Sequence, residues 1–66
     1  MIQITKLGQR YMVRATPPEV AKAKSCLMPM DARETGEWLI RQGCHLQEAF
    51  DAMFTADPAA AASELR

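Results

Sequence analysis

Residues 31–55 have the sequence DARETGEWLIRQGCHLQEAFDAMFT, which decides the fold because it encodes two short amphipathic helices joined at Gly43. The first helix begins with a capping-box pattern, an aspartate followed three residues later by a glutamate. It ends at the glycine, the residue that most often terminates helices. We therefore predict helices over residues 31–42 and 46–55, each with one apolar stripe that needs a covering surface.

The two apolar stripes follow from a rotation of 100° per residue. The stripes comprise Ala32, Thr35, Gly36, Leu39 and Ile40 on the first helix, and Leu46, Ala49, Phe50, Met53 and Phe54 on the second. A glycine inside a helix costs about 1 kcal/mol relative to alanine, so we expect another backbone to approach Gly36 closely. We expect both phenylalanines to be buried, which is worth about 1.5–3 kcal/mol for each.

The first thirty residues or a second chain must cover these stripes. Apolar and polar residues alternate before and after a turn at Gly8, which predicts a β-hairpin with Tyr11 and Val13 on one face. Residues 25–28 form a short apolar run that predicts either a third strand or a buried connector. A lone hairpin is marginal in water, so we predict an α+β domain in which the hairpin packs on the helix pair.

The segment between the hairpin and the apolar run has two interpretations. Thr16 as an N-cap, Pro17 as the first helical residue and Glu19 three residues after the cap predict a short helix over residues 17–24. The alternative is an extended connector, because a proline disfavours helical backbone at the residue before it.

The length predicts one small domain. A chain of 66 residues buries only about 60% of the surface that it exposes when unfolded. We expect this domain over residues 1–57, followed by an alanine-rich tail over residues 58–66 that is frayed or weakly helical. Neither an apolar run of about 18 residues nor a secretory-signal pattern is present, so we expect a cytoplasmic protein. Its size suggests a prokaryotic or phage origin.

The residues with reactive side chains do not form a catalytic or metal-binding pattern. Cys26 and Cys44 are too few for a disulfide framework, so we expect free thiols. With His45 they supply at most three metal-ligand side chains, whereas structural zinc takes four, so we predict no metal and no cofactor. We also predict no enzymatic activity, because adjacent Cys44 and His45 cannot easily converge and a small core leaves little room for a substrate cavity of about 300 Å³.

Basic residues are concentrated in the first half, although the net charge is zero. Residues 1–33 hold six basic and two acidic residues, and residues 34–66 hold two basic and six acidic residues. One function class is therefore nucleic-acid binding through Lys6, Arg10, Arg14, Lys22 and Lys24. The helix pair superficially resembles a helix-turn-helix motif, but its second helix carries Glu48 and Asp51 and no basic residue, so phosphates would repel it.

A protein-binding module is the function that the sequence favours. Zero net charge favours self-association, and five methionines favour surfaces that repack against partners. Trp38 lies off the first stripe, either wrapping the edge of the core or anchoring an interface. We predict a small non-catalytic binding or regulatory protein that pairs with itself or with another protein and takes no small-molecule substrate. The contact residues we predict are Trp38, Arg41, Arg10, Met12 and Arg14.

Overall fold

Three antiparallel strands are followed by three helices in the computed structural model, which describes residues 1–63. The elements are β1 (Ile2–Leu7), β2 (Arg10–Ala15), β3 (Lys24–Pro29), α1 (Ala32–Arg41), α2 (Leu46–Ala56) and α3 (Pro58–Ser63). The sheet has the order β1-β2-β3, so β2 is paired on both sides. The predicted α+β class, with a hairpin packed on a helix pair, is confirmed, and the apolar run at residues 25–28 belongs to a third strand.

The alternation along β2 determines which face of the sheet is buried. Tyr11, Val13 and Ala15 are all buried, whereas Arg10 and Arg14 are exposed on the opposite face. Gly8 closes the hairpin with a φ of +57°, a left-handed conformation that glycine adopts without strain. Because side chains alternate with a period of two, this pattern directs one face toward the helices and the other toward solvent.

The helices cover only the inner face of the sheet. In the packing, α2 lies against β1 and α1, while α1 also reaches β3. The core joins residues from every element, and its largest fully buried side chains are Tyr11, Leu39, Val13 and Thr35. Within residues 1–63, no helix has the length and apolar character needed to cross a bilayer.

The helix predicted over residues 17–24 is wrong, because the residues that would cap it bind elsewhere. The Thr16 N–H donates to the Met1 carbonyl at 2.8 Å, which continues the pairing of β1 with β2. The Glu19 carboxylate accepts from the Met1 ammonium instead of closing a capping box. The segment forms turns and bends, and only Val20 within it is buried in the core.

The ends of α1 follow the sequence signals closely. An Asp31 carboxylate oxygen accepts from the Glu34 N–H at 3.2 Å, so the predicted N-cap is confirmed. At the other end, Gly43 has a φ of +102° and its N–H donates to the Ile40 carbonyl at 3.0 Å. The left-handed glycine reverses the chain toward α2, as helix-terminating glycines do.

The apolar stripe of α2 is only partly buried, so the prediction that both phenylalanines enter the core is wrong. Ala49 and Met53 are buried, and Phe50 is half-buried. Leu46 is 74% exposed and Phe54 is 46% exposed. The apolar stripe of α2 is about 140° wide. The sheet and one neighbouring helix bury only the part that faces them, so the residues at the margins of the stripe remain exposed.

The alanine-rich tail begins as a helix against the rest of the domain. In α3, Ala61 is buried, and an Asp57 carboxylate oxygen accepts from the Ala60 N–H at 3.4 Å at the start of the helix. The remainder of the predicted tail, residues 64–66, lies outside the described residues.

Tyr11 connects the central strand to the junction of α2 and α3. Its hydroxyl donates to an Asp57 carboxylate oxygen at 2.6 Å, and the Lys6 ammonium lies 3.6 Å from the same oxygen. Burial, followed by the hydrogen bond and negative charge of Asp57, raises the pKa of Tyr11 to about 12. The same hydrogen bond holds the pKa of the Asp57 carboxyl below its ordinary value.

An alkaline titration tests this connection, because Tyr11 is the only tyrosine in the chain. The folded state holds the phenol proton to a higher pH than the unfolded state. Its contribution to stability is therefore complete below about pH 10 and is lost as the pH rises toward 12. We expect the phenolate absorbance of the folded chain to develop with a midpoint near pH 12 and not near pH 10, with circular dichroism reporting how much of the chain is still folded. A phenolate midpoint near pH 10 in a chain that is still folded would contradict this contact.

Asp57→Asn is the matched variant for the same titration. It removes the negative charge and leaves the buried ring in place, and burial is the largest cause of the shift. We expect the pKa of Tyr11 to fall in this variant and to stay above its ordinary value.

Candidate functional site

An apolar groove lies between α1 and α2 and is open to solvent. Its volume is about 970 Å³. Its lining comprises Ala32, Arg33, Gly36, Glu37, Ile40, Arg41, Leu46, Gln47, Ala49, Phe50, Met53 and Ala61. This space lies between the helices at the surface and not inside the core, where we expected little room for a substrate cavity of about 300 Å³.

The orientation of α1 creates one wall of this groove. Its buried residues are Thr35 and Leu39, and Trp38 packs half-buried against the core. The buried face is therefore rotated toward Trp38 and away from Ile40, which is 42% exposed. A large indole removes more apolar area from water than an isoleucine does, which favours this rotation.

Gly36 leaves an open space in the same wall. A Cβ atom built at Gly36 would have no neighbour within 4 Å outside its own helix. The prediction that another backbone approaches this glycine is therefore wrong. The glycine weakens the helix and widens the groove without serving a close contact in the isolated chain.

The outer rim of the groove carries alternating charges along α1. The Arg33 Nε lies 3.8 Å from a Glu37 carboxylate oxygen, and Arg41 follows one turn later. Among residues 1–63, the Arg41 guanidinium makes no ion pair and no side-chain hydrogen bond. The rim therefore offers one paired carboxylate and one guanidinium that can bind an external group.

The five predicted contact residues fall on two sides of the molecule. Arg41 lines the groove, and Trp38 lies on the same helix but packs toward the core. Arg10, Met12 and Arg14 lie on the outer face of β2, on the far side of the sheet from the helices. The Arg10 guanidinium donates to the Leu27 carbonyl at 3.0 Å on that face. One partner surface therefore cannot combine all five residues in a single copy.

The five basic residues predicted to bind nucleic acid are also divided between different parts of the surface. Lys6 pairs with Asp57, while Lys22 and Lys24 lie in and after the loop that precedes β3. Only Arg10 and Arg14 share the outer sheet face. Tyr11, the aromatic interleaved with these basic residues, is 1% exposed and faces the core, so it offers no stacking surface for a base.

The thiols and the histidine do not form a reactive pair. Cys26 and Cys44 are free, and burial followed by the charges of Glu48 and Glu19 raises the pKa of the Cys44 thiol. That thiol donates to the His45 carbonyl at 3.3 Å and not to an imidazole nitrogen. A thiol with a raised pKa is a weak nucleophile at neutral pH. In residues 1–63, no group of three or more metal-ligating side chains comes together.

The groove was not predicted from the sequence, because Ile40 and Leu46 were expected to face the core on their apolar stripes. A usable signal was present in the 140° width of the second stripe. A stripe of about 100° is enough to face a core, so the extra width indicates apolar side chains left at the margin.

The site must be interpreted from its own geometry. No protein-family model matches the chain, and no curated protein or solved structure is significantly similar to it. The apolar lining, the open space and the alternating rim charges are therefore the features of the chain that bear on its function.

A pair of glycine substitutions tests the geometry of the α1 wall. We expect Gly36→Ala to stabilise the chain by about 0.5–1 kcal/mol, because the added methyl group meets open space and alanine favours helix. We expect Gly43→Ala to destabilise it by about 1–2 kcal/mol, because its φ is positive. Urea unfolding of dilute protein measures both. Destabilisation by Gly36→Ala would mean that the space is already filled.

Proposed function

We propose that the protein is a non-catalytic binding module whose α1–α2 groove receives an apolar segment of another polypeptide. The observation that carries this proposal is the exposure of Leu46 and Ile40 beside half-buried Phe50, all facing one open groove. Contiguous apolar surface rimmed by polar residues is typical of protein-interaction sites on small proteins.

The energetics of the groove favour an apolar occupant. Covering a leucine, isoleucine or phenylalanine side chain is worth about 1.5–3 kcal/mol when burial is complete. Leu46, Ile40 and Phe50 together provide the apolar anchors that interfaces need near their centre. An amphipathic helix with its apolar face in the groove is the binding mode that this shape suits.

The polar groups of the groove are suited to orientation of a partner more than to catalysis. Its charged lining residues are Arg33, Glu37 and Arg41, and the carboxylate is already paired with Arg33. A general base needs an available group beside its substrate, and a paired surface carboxylate is a weak base. Rim charges instead fix the direction in which a charged partner lies.

A second candidate function is nucleic-acid binding by the outer sheet face. Arg10 and Arg14 flank Met12 there, which gives that face two neighbouring positive charges for phosphates. The burial of Tyr11 removes the aromatic that would stack on bases, so we favour the groove.

The proposal includes a cytoplasmic location, which the two free thiols support.

Site-specific photocrosslinking in the cells that make the protein tests this proposal. A benzophenone amino acid replaces Leu46 in the groove or, as the control, Leu27 on the outer sheet face. Both leucines are exposed, so the two variants should fold equally well. We expect polypeptide adducts from position 46 and few from position 27, measured by mass spectrometry. Nucleic-acid adducts at position 27 without polypeptide adducts at position 46 would contradict the groove and support the alternative.

A further inference from the structure

We propose that the occupant of the groove is a second copy of this chain, paired about a twofold axis with its α1 antiparallel. This inference depends on the proposed function, because it names the polypeptide that the groove receives. Three properties of the described residues support it: the order of the rim charges, the shape of the α1 wall and the charge balance of the chain.

The rim charges of α1 are self-complementary in an antiparallel arrangement. Arg33, Glu37 and Arg41 are spaced four residues apart and alternate in sign. When two such helices run antiparallel about a twofold axis beside residue 39, Glu37 of each copy faces Arg41 of the partner subunit. The guanidinium that has no ion pair within residues 1–63 then gains one, and each dimer contains this pair twice.

The same register fits the shape of the wall. Ile40 projects into solvent, and Gly36 leaves open space one turn earlier on the same side. Around an axis beside residue 39, Ile40 of one copy lies about 3 Å along the helix from Gly36 of the partner subunit, given a rise of 1.5 Å per residue. A projecting side chain therefore meets an open space in both directions.

The size and charge of the chain suit such a dimer. A standard interface buries about 800 Å² on each partner, which is roughly a fifth of the 4389 Å² surface of this chain. The groove can contribute Leu46 and Phe50 to that area in addition to α1. The formal net charge is zero, so two copies approach without overall repulsion.

Charge reversal distinguishes self-pairing from binding of another protein. Glu37→Arg and Arg41→Glu each create two like-charge contacts per dimer, so we expect each to raise the dimer dissociation constant about tenfold or more in sedimentation equilibrium. An equimolar mixture of the two variants restores opposite charges at both contacts, so we expect dimers to form again as mixed pairs. The double variant with both substitutions should also dimerise.

The mixture separates the interface from effects within one helix. Mixing leaves the charges inside each chain unchanged, so any recovery must come from contacts between chains. Arg14→Glu, on the outer sheet face, is the control for charge reversal and should leave the dimer intact. Circular dichroism checks that each variant is folded, as expected for substitutions at exposed positions.

The outcomes separate the two proposals. A wild-type chain that remains monomeric at high concentration, while position 46 crosslinks to a different polypeptide, would overturn the second copy and leave the proposed function standing. A dimer disrupted by Leu27→Ser and not by Ile40→Ser would overturn the second copy as the occupant of the groove, because these residues are 43% and 42% exposed on opposite sides. Failure of the mixture to recover would overturn the antiparallel register.

Discussion

Tyr11 donates its hydroxyl hydrogen to Asp57, and this contact ties the junction of α2 and α3 to the central strand of the sheet. The tyrosine belongs to the central strand, and the aspartate ends α2 and begins α3. A buried hydroxyl that loses its partner costs about 1–3 kcal/mol, which is a large share of the stability of a small domain. The C-terminal end of α2 is therefore tied to the sheet. Its N-terminal end starts at His45 without a side-chain cap, and Leu46 there faces solvent.

The small size of the chain explains why an apolar groove remains. Three short strands present one inner face, and α1 and α2 cannot bury every apolar residue against it. On α1 the competition is visible in single side chains, because Trp38 packs against the core while Ile40 stays outside. Gly36 adds open space that alanine would fill with a gain in helix stability. Alanine at position 36 would therefore stabilise the isolated chain but narrow the groove. The presence of glycine there supports a function for the groove.

Local signals in the sequence predicted the elements well. The alternation in β2, the aspartate cap of α1 and the terminating glycine at position 43 depend on neighbouring residues, and all three occur as predicted. The helix over residues 17–24 failed for a non-local reason, since Thr16 pairs with Met1 across the hairpin. The width of the apolar stripe indicated that some apolar side chains would stay outside the core, but periodicity does not fix which part of a stripe meets a neighbour, so the position of the groove could not be predicted. Of the predicted contact residues, Arg41 lies at the groove, and three others lie across the sheet.

The molecule differs from an ordinary small domain in the apolar side chains that the fold leaves exposed in one groove. Leu7 and Leu27 are also exposed, but they lie on the sheet face beside Arg10 and Met12 and line no groove. Isolated exposed leucines are common on soluble proteins and need no partner. The groove is different because its apolar side chains converge on one concave space.

The most direct measurement of the central claim is hydroxyl-radical footprinting across a range of protein concentrations. In dilute protein, we expect Ile40 to be labelled about as strongly as Leu27 and Leu46 to be labelled more strongly, in line with their exposed fractions. At high concentration, we expect labelling of Ile40 and Leu46 to fall while labelling of Leu27 stays constant, because a second copy covers the groove and leaves the outer sheet face free. Constant labelling of Ile40 and Leu46, or protection of Leu27 in their place, would contradict the account.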